Sequence, residues 1–239
     1  MILYLANLPA TLRGPDDEAY RGMVPKRARF LHPDAARSLL GLEAATGGLV
    51  YTDIFRSAEA SLAARSSKRG VQPPGYSAHN YGLAVDLDVG AVLRSHRWRY
   101  PELVEAMGAH GWYCHRRDLS STGAENWHFS FLGDPAHDLV LADSHDRSTW
   151  SQPVEARILS YYGADLVLDA EAVQEALAKL RLYSGEIDGK IGPLSREAIC
   201  AFQRTWDLTP TGAADARTQR TLAYCAAEKK IVDLAPLVA

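Results

Sequence analysis

Cysteine is scarce in this chain, and none of it sits in a paired motif. Cys114, Cys200 and Cys225 are the only three among 239 residues. An odd, sparse set is no disulfide framework. No CxxC occurs, so a cysteine-rich zinc site is excluded. Long apolar runs are also missing. None approaches the roughly 20 residues that a membrane helix needs. Nor is there an excess of one charge: 26 Lys and Arg stand against 29 Asp and Glu, a formal net charge of −3. Duplex-binding proteins are usually basic, so nucleic acid is not an expected partner. The start lacks a positive segment and Pro9 cuts its apolar stretch short, so no secretory signal peptide is expected. Neither an internal repeat nor a low-complexity tract is visible.

What is present is ordinary globular composition, 47% hydrophobic and 23% charged. The length fits one large or two unequal domains. Met1–Pro9 reads as an opening strand. Gly, Pro and Ser cluster at Ser66–Gly75, a loop signal. Pro101–Gly108 has Pro at its start and Gly at its end, the asymmetry of a short helix. His110–His115 then reads as a strand, with Trp112 and Cys114 on one face and Tyr113 on the other. The polar, breaker-rich stretch Ser144–Pro153 begins a linker. A helical rhythm follows. Asp169 is a good N-cap before Val173, Leu177 and Leu180, Pro193 opens a second helix through Phe202 and Trp206, and Asp215 starts a third. The expected layout is a first domain at 1–145, a linker at 146–168, a three-helix domain at 169–227 and a tail at 228–239.

The chemistry sits in the first domain. In Ser77–Asp88, Leu83, Val85 and Leu87 alternate with Ala84, Asp86 and Asp88. On a strand this separates aliphatic side chains from carboxylates. His79 lies just before, with Gly82 permitting a tight entry. In Asn126–Phe131, Trp127, Phe129 and Phe131 share one face while Asn126, His128 and Ser130 share the other. If both strands join one sheet, His79, Asp86 and His128 can converge. Two imidazoles and a carboxylate suit zinc, and three protein ligands leave a fourth position open for water. Zinc lowers the pKa of that water toward about 7. Glu125 is the nearest base, but on a regular strand it would face away from His128. It therefore has to lie where the strand is not yet regular. The spacing leaves another reading open, a solvated polar face with Asp86 as an edge carboxylate.

Ser77-x-His79-x-x-Gly82-x-Ala84-x-Asp86, followed by Glu125-x-Trp127-His128, resembles the peptidase family of VanY-type D-Ala-D-Ala carboxypeptidases and phage L-Ala-D-Glu endopeptidases. The likeness covers about residues 31–132. It implies a small α+β fold with an antiparallel sheet, zinc held by His79, Asp86 and His128, and Glu125 as general base. The family's Arg-Ser pair on an upstream strand is matched by Arg56-Ser57. That makes Arg56 a substrate-binding candidate, with Ser77 lining the site. A guanidinium is a fixed fork for a carboxylate or an oxyanion. Many members carry a Gln shortly after the pair, whereas here the chain runs Ala58-Glu-Ala-Ser61.

The three-helix segment also carries a resemblance. Val173-Gln174, Leu177, Tyr183-Ser-Gly185, Ile187-Asp-Gly189, Ile191-Gly192, Ala198, Phe202-Gln203 and Leu208 are similar to the peptidoglycan-binding domain of many wall-lytic enzymes. Together the two resemblances imply a monomeric zinc peptidase that cuts peptidoglycan stem peptides and is tethered to the wall. The expected form is an endolysin-like endopeptidase, made in the cytoplasm and reaching the wall through holin-type release. The alternatives are a D-Ala-D-Ala carboxypeptidase for wall remodelling and a non-catalytic wall-binding protein.

Overall fold

The computed structural model describes residues 1–67, 71–114, 125–133 and 167–234. The protein is mixed α+β with small antiparallel sheets, as expected. Its contacts divide it into two compact units, one built on a four-stranded sheet and the other on the C-terminal helices. No helix among the described residues is long and apolar enough to cross a membrane.

The chain opens with strand β1 (Ile2–Asn7), which pairs antiparallel with β2 (Phe30–Leu31). Helix α1 (Pro33–Thr46) follows, with Pro at its first turn and buried Ala35, Ala36, Leu39 and Leu42 facing inward. Strand β3 (Tyr51–Asp53), helix α2 (Ala58–Ser67) and a 3-10 turn (Ala78–Tyr81) lead to β4 (Ala84–Leu87). Helices α3 (Val89–His96) and α4 (Tyr100–Gly108), then β5 (Trp112–Tyr113) and β6 (His128–Phe131), complete the second sheet. Its order is β3-β4-β6-β5. The expected strand at His110–His115 is shorter than its pattern suggested. Trp112, Tyr113 and Cys114 are all buried, so two-faced alternation does not apply, and His115 lies outside the described residues.

The sheet's inner face is made by Leu83, Val85, Leu87 and Phe129, each at most 2% exposed. Burial of one such side chain contributes about 1.5–3 kcal/mol. Trp112 lies against Phe131 with ring centroids 5.3 Å apart, and its indole N–H donates to Ser38 Oγ at 3.0 Å, which ties β5 to α1.

In the helical unit all three expected helices form. They are α5 (Ala170–Lys179), α6 (Pro193–Thr205) and α7 (Ala216–Cys225). Asp169 and Asp215 cap α5 and α7 by accepting from Ala172 N and Thr218 N, both at 2.8 Å. Val173, Leu177, Ala198, Ile199, Phe202 and Leu222 form the core.

The same unit carries an internal repeat that the sequence did not reveal. Gln174 and Gln203 are both fully buried. Gln174 Nε2 donates to Ser195 Oγ while its Oε1 accepts from Gly189 N at 2.8 Å. Gln203 Nε2 donates to Thr218 Oγ1 while its Oε1 accepts from Gly212 N at 3.0 Å. Gly189 and Gly212 both take positive φ, 69° and 71°. Gly192 and Asp215 are the following N-caps. The pairs Gly189/Gly212, Gly192/Asp215, Ser195/Thr218 and Ile199/Leu222 share one offset along the chain. Each half is thus a helix whose buried glutamine clamps the turn entering the next helix, and α6 belongs to both halves.

Of the expected linker at 146–168, all but the last two residues lie outside the described part. The expected tail begins with a strand, β7 (Glu228–Val232), giving the first sheet the order β2-β1-β7. The three cysteines are free. Cys200 Sγ donates to Pro210 O at 3.7 Å, and burial pushes the Cys225 thiol up to about 12.

Candidate metal centre

Strands β4 and β6 are antiparallel neighbours, and their register sets Asp86 directly opposite His128. Directly opposed residues have Cβ atoms about 4.5–5.5 Å apart. Here Asp86 Oδ1 meets His128 Nδ1 at 2.8 Å. The other ring nitrogen, Nε2, lies 3.1 Å from Ser130 Oγ. Ser130 is two residues along β6, hence on the same face.

His79 joins them from the 3-10 turn. Its neighbour Asn80, fully buried, fixes the loop that presents it. Asn80 Oδ1 accepts from Gly75 N at 2.9 Å and Ser77 N at 3.3 Å, and Nδ2 donates to Ser61 Oγ at 2.8 Å. Gly82 then makes the entry into β4. Its φ is +66°, and a Cβ there would lie 2.6 Å from His32 N and 2.8 Å from Leu31. Only glycine fits such an approach.

One potential ligand atom each from His79, Asp86 and His128 falls within 4.8 Å of the others. His79 is 2% exposed, and the side chains of Asp86 and His128 are 14% and 15% exposed. Two imidazoles and a carboxylate, shielded but not sealed, are a donor set that fits a metal with one open position.

Glu125 lies ahead of the regular strand, so the alternation of strand faces does not apply to it. Regular strand begins only at His128, and His128 N donates to Glu125 O at 3.2 Å, closing a turn. Tyr100 Oη donates to Asn126 O at 2.7 Å, and Cys114 Sγ points at Glu125 O at 3.9 Å. The turn also separates Trp127 from the expected inner face. It is 41% exposed, whereas Phe129 is buried.

Arg56 and Ser57 lie in the connection after β3, not on a strand as the family pattern implied. Arg56 forms a half-buried ion pair with Asp53, Nε to Oδ2 at 2.9 Å. Burial acts to lower the Arg56 pKa, but the carboxylates of Asp53, Asp86 and Glu125 outweigh it and hold the guanidinium above its ordinary value. Arg56 therefore stays charged within electrostatic reach of both Asp86 and Glu125. Register also sets Asp53 opposite Asp86, a like-charge pair that Arg56 offsets. Ser77 Oγ accepts from His79 N at 3.4 Å, a bond within the turn. Asp88 is the N-cap of α3, accepting from Ala91 N at 2.9 Å.

Three residues near the site were not singled out as functional from sequence. Asp53 carries the Arg56 pair. Ser130 holds His128, and its signal was the spacing of two on the polar face. Tyr20 donates to Thr52 O, and its pKa is raised to about 12, first by burial, then by the carboxylates of Asp53, Asp17 and Asp86. No sequence signal marked Tyr20, which is remote in sequence from both motifs.

Residues 168–222 match the family described as "Putative peptidoglycan binding domain". A 57-residue stretch is 40% identical to the "Putative OxPP cycle protein OpcA" of Synechococcus elongatus, covering 24% of this chain and 13% of that protein. The chain thus spans about an eighth of the curated relative it matches. Among solved structures, the LdcB LD-carboxypeptidase is similar at 20% identity and a TM-score of 0.36, covering 56% of this chain and 76% of that one. The structure of that protein is described as revealing the molecular basis of peptidoglycan recognition.

Proposed function

We propose that this protein is a zinc-dependent peptidase that hydrolyses the stem peptide of bacterial peptidoglycan, held at the wall by its C-terminal helical unit. The observation that carries this reading is the convergence of His79, Asp86 and His128 across β4, β6 and the preceding turn. The match of residues 168–222 supports the choice of substrate.

His79, Asp86 and His128 would hold the ion, which when bound supplies Lewis acidity to an attacking water and to the scissile carbonyl. Glu125, beside the site on its turn, takes a proton from the water as the oxygen bonds to the carbonyl carbon. It then passes that proton to the departing amine as the C–N bond breaks. Arg56, held cationic, steadies a substrate carboxylate or the developing oxyanion. Ser77, in the turn that carries His79, would contact the substrate. A wall-binding unit raises the local concentration of enzyme at an insoluble substrate. Cutting within the stem or its cross-links opens the mesh, which favours the endopeptidase form. The place of action is the wall, reached after release from the cytoplasm.

Zymography on purified walls tests this. The wild type clears walls, Glu125→Ala keeps its zinc but does not clear, and His128→Ala loses zinc. Clearing by Glu125→Ala at the wild-type rate refutes the role of the base. Unchanged zinc in His128→Ala refutes the ligand set.

A further inference from the structure

The His128 ring is held at both nitrogens, and the two partners differ in chemistry. Nδ1 faces Asp86 Oδ1 at 2.8 Å, and Nε2 faces Ser130 Oγ at 3.1 Å. A carboxylate only accepts. Without metal, a neutral His128 therefore carries its proton on Nδ1, and Nε2 must accept from the Ser130 hydroxyl. With metal on Nδ1, the proton must sit on Nε2, and Ser130 must accept. A hydroxyl can do both by rotating. A backbone N–H or C=O in the same place could serve only one state. Ser130 is 6% exposed, and its register partners on the neighbouring strands are Ala84 and Tyr113.

We propose that Ser130 is a positioning residue for the metal centre: its hydroxyl orients the His128 ring and accommodates both of its tautomers, so that Nδ1 is presented beside Asp86 for ligation. This deepens the proposed function and rests on its ligand set. Partners of this kind fix ligand orientation, and their loss typically weakens metal binding about 10- to 100-fold.

The test compares two side chains of nearly the same shape, Thr and Val, which differ in the hydroxyl. Both are favoured in strands. Zinc affinity is measured on the full chain by competition with a chromophoric chelator, alongside melting temperatures of the zinc-free proteins. Ser130→Thr is expected to keep near wild-type affinity and Ser130→Val to bind zinc about 10- to 100-fold more weakly, with similar zinc-free melting temperatures. Ser130→Ala, smaller than the native side chain and unable to clash, is expected to lose affinity as Val does. Equal affinities for Thr and Val, or wild-type affinity for Ala, overturn the role of the hydroxyl while leaving the zinc peptidase reading intact. A wild-type protein that takes up no zinc overturns both.

Discussion

Replacement of Gln174 by Met is expected to remove a large part of the stability of the helical unit. Methionine has a similar length and helix propensity, so the change removes mainly hydrogen bonding. An amide has two N–H hydrogens and two oxygen lone pairs, hence about four good bonds at once. Gln174 has that many partners and more. Nε2 reaches Asp188 Oδ1 at 2.9 Å, Lys190 O at 3.0 Å, and both Tyr183 Oη and Ser195 Oγ at 3.2 Å. Oε1 accepts from Gly189 N at 2.8 Å and Asp188 N at 3.1 Å. At about 0.5–1.5 kcal/mol per bond, the loss is about 2–6 kcal/mol. A unit of roughly 60 residues has only about 3–9 kcal/mol in total. At about 4–8 °C per kcal/mol, melting should fall by at least about 8 °C. The assay is a melt followed by the methyl signals of Val173, Leu177 and Leu222, which report this core alone. Sedimentation with purified walls should fail at the temperature where those signals collapse. The repeat predicts a similar loss for Gln203→Met. A Gln174→Met protein melting within about 2 °C of wild type would refute the clamp.

Tyr20 makes stability depend on alkaline pH. Its pKa in the fold is raised to about 12 from 10.0, so its contribution is complete below about pH 10 and lost as pH climbs through about 12. Urea midpoints near pH 9 and pH 11 should therefore differ more for the wild type than for Tyr20→Phe; equal differences would contradict this. Gly82→Ala forces a Cβ to 2.6 Å from His32 N at a φ of +66°. It should lower stability by about 1–3 kcal/mol and weaken zinc binding through displacement of His79, read by melting and chelator competition. Unaltered values for both would show that the entry to β4 has slack.

Much of the site was legible because the strand period is simple. Alternation in Leu83–Asp88 put Asp86 on the face opposite Leu83, Val85 and Leu87, and the neighbouring strand brought His128 across from it. The helices were legible at their starts, through the N-caps Asp169 and Asp215 and through Pro193 in the first turn of α6. What escaped is what depends on partners distant in sequence. Asp88 looked like the next polar residue of a strand but caps α3. Trp127 fitted the period of the inner face, yet the turn closed by His128 N and Glu125 O shifts it outward. The repeat stayed hidden because its two halves use different residues for one task, Ser195 or Thr218 at the clamp and Gly192 or Asp215 at the cap. The glutamines also stand at a different spacing from their turns. Strand β7 escaped because Glu-Lys-Lys-Ile-Val is polar on nearly all sides and mostly exposed, so burial left no pattern to read.

The proposed activity is cleavage of a peptide bond in peptidoglycan by a zinc site built from His79, Asp86 and His128. Mass spectrometry of muropeptides from purified walls, digested by zinc-loaded protein and by Glu125→Ala, tests it most directly. New peptide termini are expected with the wild type and none with the variant. A new N-terminal D-Glu would identify L-Ala–D-Glu cleavage. Identical muropeptides from zinc-loaded wild type and variant, with intact binding to the same walls, would contradict it.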